Sequence, residues 1–211
     1  MGRPQGSRNP DFEATRARLL DAVRSRLGEA DGARASFREL ASAAGVSVAT
    51  LKHYFGSREE LVGAVMAQWH TQGAPYLLAV ASGPLPPLHE SLTDLLVQVG
   101  HGFERGGLDE VHAIGLAAGL RDPTLGPAYL REVLDATLEA VEARLARHVA
   151  RGELVAVDVR HLALALLAPA VLLLLHQRSL GGKKCRPLAY GPFVKDHVDG
   201  FVRGYGRPSK K

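Results

Sequence analysis

The sequence has little of what several classes of protein require. It contains a single cysteine, Cys185, among 211 residues, which excludes an internal disulfide and a cysteine-based zinc site. The longest apolar run, Leu162 to Leu175, has 14 residues with Pro169 inside it, and we expect it to be too short to span a bilayer. The first thirty residues carry arginines and acidic residues instead of an apolar signal core. We therefore expect a soluble, cytoplasmic protein.

Motifs of the common enzyme classes are also missing. The sequence has no G-x-S-x-G or H-E-x-x-H motif, no phosphate-binding loop and no dinucleotide-binding fingerprint. We therefore predict that the protein is not an enzyme and has no catalytic residues or cofactor. His101, His112 and His176 lack the spacing of a helical metal site, so no metal is predicted either. Cys185 lies in a Gly/Lys-rich segment expected to be a loop, which leaves a redox-sensing thiol as a minor alternative.

Charge is distributed unevenly along the chain. The net charge of +4 is the sum of +2 for residues 1–60, −5 for residues 61–177 and +7 for residues 178–211. Basic ends on an acidic middle favour contact between part of the protein and a polyanion. The alternative for the C-terminal block is a solvated basic tail without a partner.

Apolar residues recur with helical spacing over nearly the whole sequence, which predicts an all-α protein of about nine helices. Ser36 and Ser57 are each followed three positions later by a glutamate, the pattern of a capping box at a helix start. Gly45 and Gly56 are placed to end the preceding helices. The predicted helices run from a cap at Asp11 to Gly28, from Ser36 to Gly45, from Ser47 to Phe55, from Ser57 past Trp69 with a bend or end between 73 and 87, and near 88–105, 109–120, 124–150, 158–180 and 191–204.

Residues from Phe37 to about Phe55 have the anatomy of a helix-turn-helix. Leu40 and Leu51 are placed to face inward, and Ala41 is small where two short helices must cross closely. A glycine at the corner permits the positive φ that such a turn needs. This arrangement leaves one face of the second helix free to enter a DNA major groove, with Val48, Ala49, Lys52 and His53 on it.

The longer stretch from Ser36 to Leu61, SFRELASAAGVSVATLKHYFGSREEL, strongly resembles the N-terminal domain of TetR-family transcriptional regulators. The resemblance is close over residues 10–65 and is most specific at A-G-V-S, T-L, and H-Y-F followed by S-R. Beyond residue 70 it is limited to helix number, helix lengths and the Ala/Leu-rich closing helices. It implies a flexible basic arm at 1–10, a helix-turn-helix domain at 11–57, a ligand-binding and dimerisation domain at 58–204, and a basic tail at 205–211.

The resemblance also implies which residues contact DNA. The family often has tyrosine where this chain has Lys52; lysine keeps a phosphate or guanine contact but loses the packing of a ring on sugar. The alternative to a DNA contact is a place in the core for Tyr54. For His53 the alternative is an ordinary surface position. In the arm, Arg3 and Arg8 are expected to follow a narrow A·T-rich minor groove. The implied contacts of the domain itself are Arg38, Ser47, Val48, Ala49, Thr50, Lys52, His53, Tyr54 and Arg58.

The apolar run from Leu162 to Leu175 needs burial on every side, which a monomer of this size provides with difficulty. The resemblance implies a homodimer formed through about 158–180 and 191–204, and hence an approximately palindromic operator. It also implies a small-molecule pocket among the middle helices. Its candidate lining residues, for each of which a core or interface role is the alternative, are Trp69, Tyr76, His101, Phe103, His112 and His176.

These observations predict a DNA-binding transcriptional regulator, a repressor released from a palindromic operator by a small-molecule effector. The first alternative is a nonspecific or architectural DNA-binding protein that uses the arm and the tail. The second alternative, an enzyme, has no motif to support it.

Overall fold

The computed structural model describes residues 10–29 and 31–207, and within them it confirms the predicted all-α class. These residues form nine helices of seven or more residues, and their β-type pairing is limited to an isolated bridge between Leu154 and Gly206. The predicted arm residues Arg3 and Arg8, and residues 208–211 of the predicted tail, lie outside the described residues. The chain packs into two compact units.

The first unit comprises the chain up to Trp69 together with Ile114–Tyr129. Its helices are α1 (Pro10–Leu27), α2 (Phe37–Ala43), α3 (Val48–Phe55), the first part of α4 (Arg58–Ser82), the last part of α6 (Leu108–Gly119) and α7 (Leu125–Tyr129), with a 3₁₀ turn at Gly32–Arg34. Its aliphatic core is fully buried and includes Leu19, Val23, Leu40, Leu51, Leu61, Val65 and Met66.

Both predicted capping boxes are present. The Glu39 amide donates to Ser36 Oγ over 3.3 Å, and the Ser36 amide donates to Glu39 Oε2 over 2.7 Å. In the second box the Glu60 amide donates to Ser57 Oγ over 3.1 Å, and the Ser57 amide donates to Glu60 Oε2 over 2.7 Å. Each pair satisfies two amides that a helix N-terminus would otherwise leave without partners. The start of α1 differs from the prediction, because Pro10 already lies in the helix and Asp11 belongs to its first turn rather than capping it.

The second unit comprises His70–Ala113 and Leu130–Lys211. It contains the remainder of α4 and α6, α5 (Leu88–Arg105), a π-helical turn (Leu130–Leu134), α8 (Asp135–Ala150), α9 (Val159–Arg178), the short α10 (Gly182–Cys185) and α11 (Tyr190–Tyr205). Helix α9 packs against α5, α8 and α11. The core between them includes Leu92, Leu96, Phe103, Leu145, Leu162, Leu166 and Val198.

Two predicted elements differ from the structure. The single helix expected at 124–150 is interrupted at Leu130–Leu134, where the π turn begins as the chain passes from one compact core to the other. The loop expected around Cys185 contains the short helix α10, of which Cys185 is the last residue. Helix α4 continues through Gly73 and Pro75 and ends at Ser82.

The prediction that Leu162–Leu175 is too short to cross a bilayer also needs correction. The helix around it, α9, has 20 residues and is long and apolar enough to span a membrane by length and composition alone, the one such helix in the described part of the chain. The length of α9 therefore does not exclude a membrane-spanning helix. Its buried side chains nevertheless pack in the core of the second unit, as those of an interior helix do: Leu162, Ala163, Leu166, Leu167, Ala170, Leu173 and Leu174.

Candidate DNA-binding face

Helix α3 is held by its cap, by the turn before it and by two buried side chains. Ser47 Oγ accepts a hydrogen bond from the Thr50 amide over 3.0 Å and lies 2.9 Å from Thr50 Oγ1. Gly45 has a φ of 68°, a left-handed conformation that side chains with a Cβ rarely adopt. Leu51 and Phe55 are buried, so the axial rotation of this eight-residue helix is fixed.

That rotation exposes the face which the sequence predicts. Val48, Ala49, Lys52 and His53 are all exposed, and 41% of the Val48 surface is accessible although the side chain is apolar. An exposed apolar side chain between polar ones suits contact with a thymine methyl group in a major groove. Ser47 and, on α2, Arg38 are exposed as well, whereas Thr50, Tyr54 and Arg58 are half-buried.

An aromatic cluster supports the C-terminal end of α3. The Phe12 ring, in the first turn of α1, stacks on the Tyr54 ring with centroids 4.6 Å apart and planes 24° apart. The same ring meets His53 edge-on, with centroids 6.2 Å apart. One turn further along α1, the Arg16 guanidinium lies 5.1 Å from the centre of the Phe55 ring. Tyr54 is therefore part of the packing, the alternative the sequence left open, and Phe12 is a neighbour that sequence reasoning missed.

Arg58, at the start of α4, has partners within the protein. Its Nε donates to the carbonyl of Ala35, the residue before the cap of α2, over 3.0 Å. Two hydrogen bonds from Thr124, and with them the positive charge of Arg58, lower the pKa of Asp122. The guanidinium thus ties the start of α4 to the start of α2, and any phosphate contact would be additional.

A shallow cavity of about 560 Å³ lies beside α3. Phe37 and Val48 form apolar parts of its wall, and Lys52 and Arg58 supply two cations. The nearby amide of Ser57 is already engaged by Glu60, so the positive side chains are the groups here that suit an anion. The cations and the exposed face of α3 belong to the same surface, which also includes the Glu60 carboxylate.

The six predicted pocket residues occupy several places. Phe103 and His112 are buried and stacked, with ring centroids 5.2 Å apart. Burial lowers the pKa of His112 to about 4. Trp69 lies in the first unit, under the guanidinium of Arg24 at 5.0 Å.

The other three predicted pocket residues are in the second unit. Tyr76 is exposed on α4, and His176 Nδ1 accepts a hydrogen bond from its neighbour Gln177. His101 lines a groove of about 460 Å³ between α5 and α11, together with Val97, Tyr190 and Val194. The Tyr190 hydroxyl donates to the Leu96 carbonyl over 2.8 Å and fixes the ring in the wall of this groove.

The second unit also contains a buried polar network that sequence reasoning missed. Arg144 Nε donates to Ser91 Oγ over 2.8 Å, and Ser91 Oγ lies 2.8 Å from His148 Nε2. His148 Nδ1 in turn hydrogen-bonds the carboxylate of Glu153. Ser91, Arg144 and His148 are all buried, so each polar atom of this chain of contacts takes its partner from the protein.

A row of arginines on α8 and at its C-terminal cap binds the carbonyl groups around the end of α4. Arg144 donates to the carbonyl of Val80 over 3.1 Å, and Arg147 to those of Ala81 and Gly83 over 3.0 and 2.8 Å. Arg151 donates to the Leu85 carbonyl over 2.7 Å. The last carbonyls of a helix lack partners within it and carry partial negative charge, so these cations stabilise the C-terminal end of α4.

Comparisons with known proteins agree with this geometry. Residues 19–65 match the model of the bacterial regulatory proteins of the tetR family. No curated protein matches the chain in sequence.

Solved structures share the fold over nearly the whole chain. GusR of Salmonella enterica is 23% identical, with a TM-score of 0.68 over 90% of this chain and 96% of that one. SmeT, the repressor of the Stenotrophomonas maltophilia multidrug efflux pump SmeDEF, is 19% identical, with a TM-score of 0.68 over 94% of both chains. A protein of Mesorhizobium loti assigned to the TetR family is 18% identical, with a TM-score of 0.70 over 94% of this chain and 100% of that one.

The match of residues 19–65 makes the protein a DNA-binding transcriptional regulator, and the solved structures show its fold. The predicted resemblance is confirmed, since the chain carries the TetR family's N-terminal domain within the family's all-α fold. Proteins of this family are transcription factors and not enzymes.

Proposed function

We propose that the protein is a homodimeric repressor whose α3 helices enter successive major grooves of a palindromic operator. The observation that supports this proposal is the side-chain distribution on α3. Leu51 and Phe55 are buried and hold the helix, while Val48, Ala49, Lys52 and His53 are exposed. Val48 and Ala49 contact base edges, Ser47, Thr50 and Tyr54 contact the backbone, and Lys52, Arg38 and Arg58 bind phosphates or guanine.

Dimerisation through 158–180 and 191–204 is part of the proposal. Helix α9 exposes 53% of Leu164 and 64% of Leu172, two turns apart on one face. A second copy of α9 and α11 would cover these leucines and present two α3 helices with twofold symmetry. Two linked contacts bind a palindrome far more tightly than one does.

Release by a small molecule is the second part of the proposal. One of the solved structures that share the fold is a complex of SmeT with triclosan, so a protein of this architecture binds that compound. In the present chain the effector would bind in the second unit, where His101 lines the groove between α5 and α11. The effector shifts the protein towards a released conformation only as far as it binds that conformation better. The protein would act in the cytoplasm.

The test begins with selection of bound fragments from random DNA, followed by a screen for small molecules that release the selected site. The expected result is one approximately palindromic sequence bound at least about a thousandfold more tightly than unrelated DNA. Equal binding to all sequences would instead indicate the nonspecific alternative.

Single variants then test the face itself. Lys52→Ala should weaken binding to every sequence and reduce the slope of log affinity against log salt by about 0.9, the value for one phosphate contact. Its control is Lys183→Ala, which removes an exposed lysine of the short helix α10, outside the proposed dimer segments, and should leave the slope unchanged. A parental slope in the Lys52 variant would exclude the phosphate role of Lys52.

The arm residues Arg3 and Arg8, which lie outside the described residues, are tested by removing residues 2–8. The proposal of a minor-groove contact requires the largest loss of affinity on A·T-rich flanks. Equal losses on all flanks would contradict it.

A further inference from the structure

We infer that Phe12 is a specificity-positioning residue of the DNA-binding face, acting through His53 and Tyr54. This inference rests on the proposed function. Phe12 lies in the first turn of α1, outside the helix-turn-helix itself, and its half-buried ring is flanked by both of these α3 side chains.

The stacked contact fixes the end of α3. Tyr54 and Phe12 lie with their rings nearly parallel at 4.6 Å, the offset-stacked geometry that aromatic pairs prefer. Tyr54 is the penultimate residue of α3, so this contact holds the helix at the end opposite to its Ser47 cap. A helix of only eight residues held at both ends has little freedom to tilt within a groove.

The edge contact determines where His53 points. The His53 ring is nearly perpendicular both to Phe12, at 86°, and to its neighbour Tyr54, at 82°. His53 is exposed and would otherwise choose among several rotamers. The stacked Phe12 and Tyr54 rings both lie against the same side of the imidazole, so the ring is directed away from them before DNA arrives. Preorganisation of this kind decreases the entropy lost on binding.

The sequence carried only a weak signal for this role. Phe12 is an aromatic residue in the polar first turn of a helix, 41 positions before His53. Neither helical spacing nor capping requires an aromatic side chain there, so the reason for the residue becomes visible only when α1 and α3 are packed together.

The experiment compares Phe12→Leu with Phe12→Tyr on the full chain. Leucine keeps an apolar side chain but removes both ring contacts, and tyrosine keeps the ring. Affinities are measured for the selected operator and for every single base-pair change in it, and melting temperatures are measured for each protein. Phe12→Leu should bind the operator about fivefold more weakly, the weight of one aromatic pair. Its base preference should relax at the pairs that a His53→Ala variant also affects, and Phe12→Tyr should retain the parental pattern.

The double variant Phe12→Leu/His53→Ala separates positioning from a general structural role. If Phe12 acts through His53, the loss in the double variant should be smaller than the product of the two single losses. Multiplicative losses, an unchanged base preference, or a loss that only follows a lower melting temperature would overturn the inference. If the parent protein itself selects no sequence, the proposed function fails instead, and that result is obtained before any Phe12 variant is made.

Discussion

The helix ends of the first unit and the buried polar network of the second unit depend on contacts of different range along the chain. In the first unit, serine caps, capping boxes and glycine turns join residues that are at most five positions apart, around a small aliphatic core. In the second unit the contacts of the α8 arginines with Ser91 and with the carbonyls around the end of α4 join residues 53 to 66 positions apart, as between Ser91 and Arg144 or between Arg147 and Ala81. Caps and turns formed by neighbouring residues determine where the short helices of the first unit begin and end. The larger unit depends on buried groups that meet only after folding.

The largest effect is expected from the buried network of the second unit. Arg144→Met keeps the aliphatic stem but leaves Ser91 and the Val80 carbonyl without their charged donor. We expect a decrease of about 3 kcal/mol in the free energy of unfolding, measured by urea denaturation at one protein concentration. Arg151→Met is the matched control, since this exposed arginine at the C-terminal cap of the same helix also donates to a carbonyl and should cost less than about 1 kcal/mol. If both variants lost the same free energy of unfolding, the buried contacts of Arg144 would contribute no more to stability than the exposed contact of Arg151.

Acid should also destabilise the second unit. Burial holds the pKa of His112 at about 4 in the folded protein, below its ordinary value of 6.5, so the unfolded chain takes up this proton first. The free energy of unfolding should therefore fall as the pH decreases from about 6.5 to 4, and this group should account for about 2 kcal/mol at pH 5.

Denaturation of the parent and of His112→Leu at pH 7 and pH 5 measures that contribution. The variant should lose about 2 kcal/mol less than the parent on acidification. Burial lowers the pKa of His148 as well, so a part of the decrease with the same sign remains in the variant. An identical decrease in both proteins would show that His112 is not the group responsible.

The smallest of the three effects is expected from the glycine turn before α3 in the first unit. Gly45 and Gly63 both have open space where a Cβ would be, but Gly45 has a φ of 68° and Gly63 lies within α4, where a positive φ does not occur. Gly45→Ala should therefore decrease the free energy of unfolding by about 1–2 kcal/mol. Gly63→Ala should increase it by about 0.5–1 kcal/mol, because alanine loses less conformational freedom in a helix. Urea denaturation of both variants gives the two signs, and the same sign for both would contradict the conformational explanation.

The same difference in range explains what could be predicted from the sequence. The boxes at Ser36 and Ser57, the turn at Gly45 and the exposed face of α3 follow from neighbouring residues and were predictable. The arginine row on α8 and the contact of Phe12 with Tyr54 depend on which helices become neighbours in space. A periodic pattern indicates that a side chain is buried but not against which element, so neither contact could be found in advance.

The predicted pocket residues illustrate the same limit. Aromatic and histidine residues were chosen by type, and the structure brings Phe103 and His112 together while Trp69 lies in the other unit. The π turn at Leu130–Leu134 has no compositional signal, since its residues also suit an ordinary helix. Its position follows from the passage of the chain from one core to the next, which is a property of the packed protein.

The position of Trp69 under Arg24 has a practical consequence for all of these measurements. The chain has one tryptophan, and its indole lies in the unit that carries α3, 5.0 Å from a guanidinium. Its fluorescence therefore reports on the packing of α4 against α1 in that unit, while circular dichroism is dominated by the helices of both units. Recording the two signals side by side during one titration with denaturant would distinguish loosening of the DNA-reading end from melting of the whole chain, without an added dye or label.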